Sequence, residues 1–408
     1  MLRRGSRIGV VVWRAMYSVA ATLYMATWGL YFSFTRRYIG VELGGGLQAV
    51  ILITGLEWGF TLFAAVMGRL TGRVGERNLI LLGAAGCIPF LAAPGVRDPI
   101  TLAAILSFYS LTWAISWPPV LSTVLGDSSV SPGRAYSYFT IGTGLGYSIG
   151  SACMGPIYGI AGPEGVFTTM VVTHLATYSM LIAFFPGSAG IKATARGGRV
   201  INVGSVLSKL APVLIAVSLT VFSRELLYSV APSKLSMELE NLVGSSSRLT
   251  EYTLFGLVYG GFTAILSIPA RIIAGKLTDR HNPLVLFALV TTAYLIDYWL
   301  FVKSWGWVSI LIWQLPLYPF LDTAINTYIA KQVPKDVMTS GFGLVIAFDA
   351  LGGLMLLPLL VNPHLNMDFL GYVLTAAATI SVALVLKKMR GCGGSSPPAF
   401  KDMDASCN

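Results

Sequence analysis

The chain has 408 residues, of which 55% are hydrophobic and 11% charged, with a net charge of +10 and a mean hydropathy of +0.71. Soluble domains carry about 25% charged residues. A string of soluble domains, a disordered chain and a collagen-like repeat are therefore excluded, because too little polar surface is left to face water. Four cysteines (Cys87, Cys153, Cys392 and Cys407) without a CxxC spacing give no support to a zinc ribbon or a redox motif.

A transmembrane helix needs about 20 mostly apolar residues to cross about 30 Å of hydrocarbon. In chain order, such runs predict helices at 14–35, 47–68, 78–94, 100–124, 135–160, 165–186, 209–231, 250–274, 283–302, 305–330, 338–361 and 367–388, twelve in all. The runs are continuous and do not alternate every second residue, so they are helices rather than barrel strands. The first run is long and lacks a small-residue cleavage site, unlike a secretory signal. With twelve spans, both termini share a side. That side collects 21 Lys and Arg residues against 6 opposite, the latter being Arg36, Arg37, Arg97, Lys234, Arg248 and Lys303, with Arg224 left inside a span. Arg271 is counted among the 21. The bias places both termini in the cytoplasm of a multi-pass plasma-membrane protein. It also assigns the basic charge to the bilayer and disposes of nucleic acid as a partner.

A polar stretch at 188–208, within GSAGIKATARGGRV and the residues after it, divides the chain into six-helix sets at 1–187 and 209–390, with a disordered cytoplasmic tail at 391–408. The halves resemble each other. GRLTGRVGER from Gly68 answers GKLTDRHNPL from Gly275, WAISWPPVLST from Trp113 answers WQLPLYPFLDT from Trp313, and GTGLG from Gly142 answers GFGLV from Gly341. Internal repeats with a site at their interface are a recurring transporter plan.

On these residues the chain resembles the major facilitator superfamily, whose motif after the second helix runs Gly-x-Leu-x-Asp-Arg-x-Gly-Arg. Gly68, Leu70, Arg73 and Gly75 match it, with Gly72 where the family prefers Asp; the second copy keeps Gly275, Leu277, Asp279 and Arg280. The resemblance implies an all-α fold of twelve transmembrane helices in two pseudo-symmetric six-helix bundles that rock in alternating access. It also implies a conformational latch at Gly68, Arg73, Gly275, Asp279 and Arg280. Ser151-x-x-x-Gly155-Pro156-x-x-Gly159 is similar to the antiporter motif of the drug:proton branch, but a close helix crossing is the preferred reading. The charged helix-4 residue of that branch and the sugar-porter signature are both missing, so no sub-family is assigned.

A charge near the bilayer centre costs about 2.5–3.5 kcal/mol, so it faces a cavity or a partner. Glu57, Arg224, Glu225, Asp297, Asp322 and Asp349 are the candidates, and His174 joins them as a titratable group on a peripheral helix. Asp349, Asp322 and Glu57 are the expected proton-coupling residues, with Na⁺ as the alternative ion. Arg224 and Glu225 are about 100° apart on a helix, so one is expected to face the cavity while the other pairs sideways, as Arg224 would with Asp297. Gln314, Tyr318, Asp322 and Asn326 recur every fourth residue and draw one polar ridge. Tyr17, Tyr24, Trp28 and Tyr31 share a face of helix 1, and Tyr109, Trp113 and Trp117 a face of helix 4.

The expected substrate site is thus an aromatic wall (Trp28, Tyr31, Trp113) opposite an acidic one (Arg224, Glu225, Gln314, Tyr318, Asn326). Such a site suits an amphipathic or cationic solute. The function read from these features is proton-coupled secondary transport of a small organic solute by a monomer, efflux being favoured over uptake. A channel, a receptor and a membrane-embedded enzyme are the competing readings. No HExxH, GxSxG or Walker loop is present and the three histidines lie on separate segments, so no enzyme, cofactor or metal is expected. The 232–248 segment is expected to be a short extracellular cap.

Overall fold

The computed structural model describes residues 7–64, 74–125, 132–184, 203–244, 247–333 and 338–392. Helix α1 is Arg7–Arg37 and continues as a wide π-helical turn, Tyr38–Glu42; α2 is Gly46–Thr61. Helix α3 covers 76–92 with a tight turn at Ala84–Cys87, and α4 joins Pro99–Ser107 to Ser110–Leu125. Asp98 starts α4 by accepting the Thr101 amide at 2.7 Å, satisfying one of the unpaired donors of a helix start. The continuous stretch Pro132–Ala183 is two helices, α5 (132–161) and α6 (163–183), because Gly162 adopts φ 63°, ψ −167° ahead of Pro163. Only glycine takes that backbone without strain.

In the second half, α7 is Val203–Val243 and α8 is Arg248–Arg280, the latter with a π-helical turn at Leu257–Gly261. Helix α9 is Pro283–Lys303, α10 is Gly306–Gln332, α11 is Met338–Leu354 extended by a tight turn at Leu357–Val361, and α12 is Met367–Cys392. Eight stretches among the described residues are long and apolar enough to cross a membrane, one of them holding both α5 and α6. With α1, α2 and α3 the helices number twelve, in keeping with the predicted spans.

Lipid tails are as apolar as leucine, so helices in a membrane associate through close packing. Small residues set the crossings. A Cβ at Gly146 of α5 would stand 2.0 Å from the Thr22 carbonyl oxygen of α1, and one at Gly150 would stand 1.9 Å from that of Ala26. The second half repeats the device: a Cβ at Gly352 of α11 would stand 2.3 Å from the Ser218 carbonyl oxygen of α7, whose hydroxyl donates to Phe348 O at 2.6 Å. The two halves meet along α5 with α8, and α2 with α11. A Cβ at Gly155 would collide with the Thr253 backbone and one at Gly256 with the Ser151 carbonyl, while Gly353 accepts the Trp58 ring. The Ser151–Gly159 stretch is therefore a close helix crossing in this conformation.

Several boundaries differ from the predicted ones. Helix α1 does not stop before Arg36 and Arg37; it carries both inside, buried. The 232–248 segment is not a cap. Helix α7 runs on through Pro232, and Lys234 pairs there with Glu238 at 2.6 Å, both buried. Lys234 Nζ also donates to Ser304 O (2.8 Å) while Glu238 accepts the Gly306 amide (2.8 Å), tying α7 to the α9–α10 turn. Arg271, counted with the charges of the cytoplasmic side, lies inside α8, within the predicted helix 250–274. Helix α10 is interrupted between Trp313 and Leu317 around Pro316, which cannot donate a helical hydrogen bond. The predicted ridge is thus two pieces. Gly68 and Arg73 of the expected latch, the 188–202 part of the central connection, and the tail from residue 393 lie outside the described residues.

Gly146→Ala is expected to lower stability by about 1–3 kcal/mol, since its methyl meets fixed backbone. Gly343→Ala, where a Cβ meets nothing within 4 Å, is expected to leave stability unchanged or slightly raised. Thermal unfolding of the two purified variants in detergent, compared with wild type, checks both.

Candidate functional site

Charged and aromatic side chains gather where the halves meet. On the N-terminal side, Glu57 of α2 receives the Arg36 guanidinium, with Nη1 at 2.9 Å from Oε1 and Nη2 on Oε2, and the Tyr31 hydroxyl at 2.5 Å. Arg36 also lies over the Phe32 ring, 4.5 Å from its centroid. This pair is nearly closed to solvent.

On the C-terminal side, Arg224 of α7 turns back onto its neighbour Glu225, with Nη2 2.7 Å and Nε 2.9 Å from Oε1. The predicted partner, Asp297, is not reached. A guanidinium on a flexible stem covers the 100° between adjacent residues, which a helix wheel of Cβ directions does not show. The same guanidinium sits 5.6 Å from the Trp58 ring of α2 and 5.9 Å from that of Tyr228, within the range of cation–π attraction. Arg271 of α8 holds Asp322 of α10 at 3.6 Å and donates to the Tyr318 hydroxyl at 2.8 Å. The Asp322 side chain is 42% exposed, so this pair opens to the surroundings of the seam.

Asp349 of α11 is different. It makes no ion pair among the described residues; the charges acting on it are those of Arg224, Asp322 and Glu225. The cluster therefore holds four carboxylates (Glu57, Glu225, Asp322, Asp349) and three guanidiniums (Arg36, Arg224, Arg271), and Asp349 is the acid without its own cation. Electrostatic reach crosses the seam: Glu57 acts on Glu225, and Tyr147 of α5 on Arg36, Tyr228, Tyr259 and Tyr318.

The remaining predicted residues are placed as follows. Trp28 and Tyr31 are 5% and 0% exposed, packed with Tyr109 inside the first half, and do not line open space here. Trp113 is half-buried and stacks on Trp117 at 4.4 Å. Gln314 turns away from the ridge to α8, donating to Val258 O at 2.8 Å and accepting from Thr263 at 3.0 Å. The π-helical turn exposes that carbonyl by displacing the regular ladder. Asn326 caps Asp322, donating to Oδ1 at 3.0 Å. Glu57, Glu225 and Asp322 are thus each matched by an arginine, of which Arg36 is a loop residue in the sequence reading. Trp58, Tyr147, Tyr228 and Tyr259 are not among the predicted residues; the adjacency of Trp58 to Glu57 is the signal that could have found the first of them. His174 is packed, its Nε2 3.0 Å from Gly83 O.

Both cross-half ion pairs among the described residues lie at one end, the Glu42 end. Arg37 of α1 meets Glu251 of α8 at 3.1 Å and the Ser236 hydroxyl of α7 at 3.0 Å. Glu42 meets Arg248 at 3.4 Å, accepts the Tyr158 hydroxyl at 2.5 Å and also that of Tyr252. The Glu42 end is sealed. At the opposite end, Asp279 and Arg280 are exposed and hold no ion pair among the described residues.

The family model described as Major Facilitator Superfamily matches residues 16–357. The chain belongs to that superfamily. It is 30% identical over 139 residues to "Uncharacterized MFS-type transporter YwfA" of Bacillus subtilis (strain 168), spanning about a third of that relative's length, 32% of each chain. Among solved structures it is similar to a point mutant of the nucleoside transporter NupG, with 13% identity, a TM-score of 0.69, and coverage of 93% of this chain and 99% of that one. It is also similar to a POT family transporter in complex with 5-aminolevulinic acid, with 13% identity, a TM-score of 0.71, and coverage of 95% and 97%. At such identities the likeness is one of fold.

Glu57→Gln strands the Arg36 guanidinium in the interior and is expected to cost about 3–5 kcal/mol. Adding Arg36→Met removes the stranded charge and is expected to restore most of it. Urea or thermal unfolding of the single and double variants measures this; equal stability of the two would mean that Glu57 is not held by Arg36.

Proposed function

We propose that the protein is a secondary active transporter of a small organic solute, working by alternating access and exchanging the solute for protons at Asp349. The observation that carries the reading is the unpaired Asp349 within a cluster whose other acids are matched by arginines. A site with one negative charge in excess takes up one positive charge. A proton and the ammonium or guanidinium of a solute both satisfy it, and neither binds well while the other is present. Mutual exclusion of two ligands at one site is the requirement for exchange in opposite directions.

The rings around the cluster support an amphipathic cation. Trp58 and Tyr228 already hold the Arg224 guanidinium by their faces, and a solute cation carrying an apolar body would be held in the same way. The sealed Glu42 end supports alternating access, since such a seal has to open on the far stroke. The excess of Lys and Arg on the other side of the spans supports a cytoplasmic position for that side and for both termini, in the plasma membrane; export is the favoured working direction. A monomer suffices for this mechanism, because both halves of the site come from one chain.

In proteoliposomes with an imposed proton gradient, wild type is expected to drive ethidium against its own gradient, opposite to the proton flow. Asp349→Asn is expected to lose at least about 10-fold of that uphill movement, roughly the effect of 1.4 kcal/mol of coupling, and to keep one-for-one ethidium exchange at zero gradient. Undiminished uphill movement by Asp349→Asn would remove the residue from coupling. Movement of inorganic anions alone would refute the solute class.

A further inference from the structure

Asp297 stands apart from the cluster. It lies on α9, one to two turns before the helix ends at Lys303, and is 4% exposed. Its Oδ1 has no hydrogen-bond partner among the described residues. Helices α7, α8, α10 and α12 pack against α9, and among their described residues none brings a charge that acts on Asp297. The titratable group in electrostatic reach is Tyr294, three residues earlier on the same helix and 1% exposed. The Tyr294 hydroxyl is itself buried without a hydrogen-bond partner among the described residues.

An ionised carboxylate in such a place loses its hydration and gains nothing in return, a penalty of several kcal/mol even after relaxation. Groups so placed neutralise instead. Binding a metal cation is a poor way to do so here, because hard cations gather about six oxygens. Among the described residues no group of three or more His, Cys, Asp or Glu side chains gathers to hold such an ion. A proton needs no such shell.

We propose that Asp297 is a second proton-binding site, distinct from Asp349, which holds its proton in the conformation held together at the Glu42 end. The chemistry is one O–H bond made or broken, the proton being exchanged with water. While the proton is in place, Asp297 is a neutral acid; once it leaves, a buried anion remains with no cation beside it among the described residues. The inference does not depend on Asp349 carrying the coupling proton.

Infrared spectroscopy of the protein in lipid bilayers at neutral pH tests it, with Asp349→Asn as the background so that Asp349 contributes nothing. A carbonyl band of an un-ionised carboxylic acid is expected, shifting on ¹³C-aspartate labelling and disappearing when Asp297→Asn is added. Asp297→Asn itself is expected to leave the thermal midpoint within a few degrees of wild type, the amide standing in for the neutral acid. Absence of the band from the background protein, or its survival in the double variant, overturns the proton site. If Asp297→Asn does not fold, a band in the background protein that fails to shift with labelled aspartate overturns it equally.

Discussion

An ionised side chain within hydrocarbon has to find an opposite charge, a proton or a cavity that admits water. Most of the interior of this protein is arranged around that requirement. Arg36 answers Glu57, Arg224 answers Glu225, Arg271 answers Asp322, and Lys234 answers Glu238. The pairs are placed where small residues let helices come close. Glycines on α5, α8 and α11 bring backbones into contact along the seam, and this is what brings Arg224 of one half against Trp58 of the other. Packing and charge are therefore one problem here: without the close crossings, the compensating groups would not share a volume.

Two acids are left over, and they differ in setting. Asp349 lies among charges of both signs at the seam, where, in the proposed function, a solute and a proton compete for the same excess charge. Asp297 is buried with an unpartnered Oδ1, where a proton alone is the simplest answer. At the Glu42 end, Arg37 and Glu42 cross between the halves. A rocking motion has to break these contacts and make others at the Asp279 end, so the arrangement gives the conformational cycle a definite starting point.

Most of the helix pattern is legible in the sequence, because runs of about twenty apolar residues have few alternatives to a membrane-spanning helix. The ends are less so. A linear reading puts Arg36 and Arg37 in a loop, since charges normally mark the bilayer surface. Helix α1 continues past them because each has a partner on another helix, invisible along one chain. The ridge on α10 assumes an unbroken helix, although Pro316 signals a break. The acids themselves are found, since a carboxylate in an apolar run is conspicuous. Their neutralisation is not, because it depends on which helices touch. The chain shares the fold of the nucleoside transporter NupG and of POT family transporters at 13% identity, which fits this division: the apolar pattern persists while the charges that select a solute are free to change.

The most direct measurement is of the two ends of the molecule together. Spin-label pairs across the seam, one at the Glu42 end and one at the Asp279 end, report distances by pulsed electron resonance in lipid at acidic and alkaline pH. The expected result is a reciprocal change, one distance lengthening as the other shortens, lost when residue 349 is asparagine. Distances that stay fixed with pH, or that lengthen at both ends together, would contradict two halves rocking about a shared, proton-sensitive cluster.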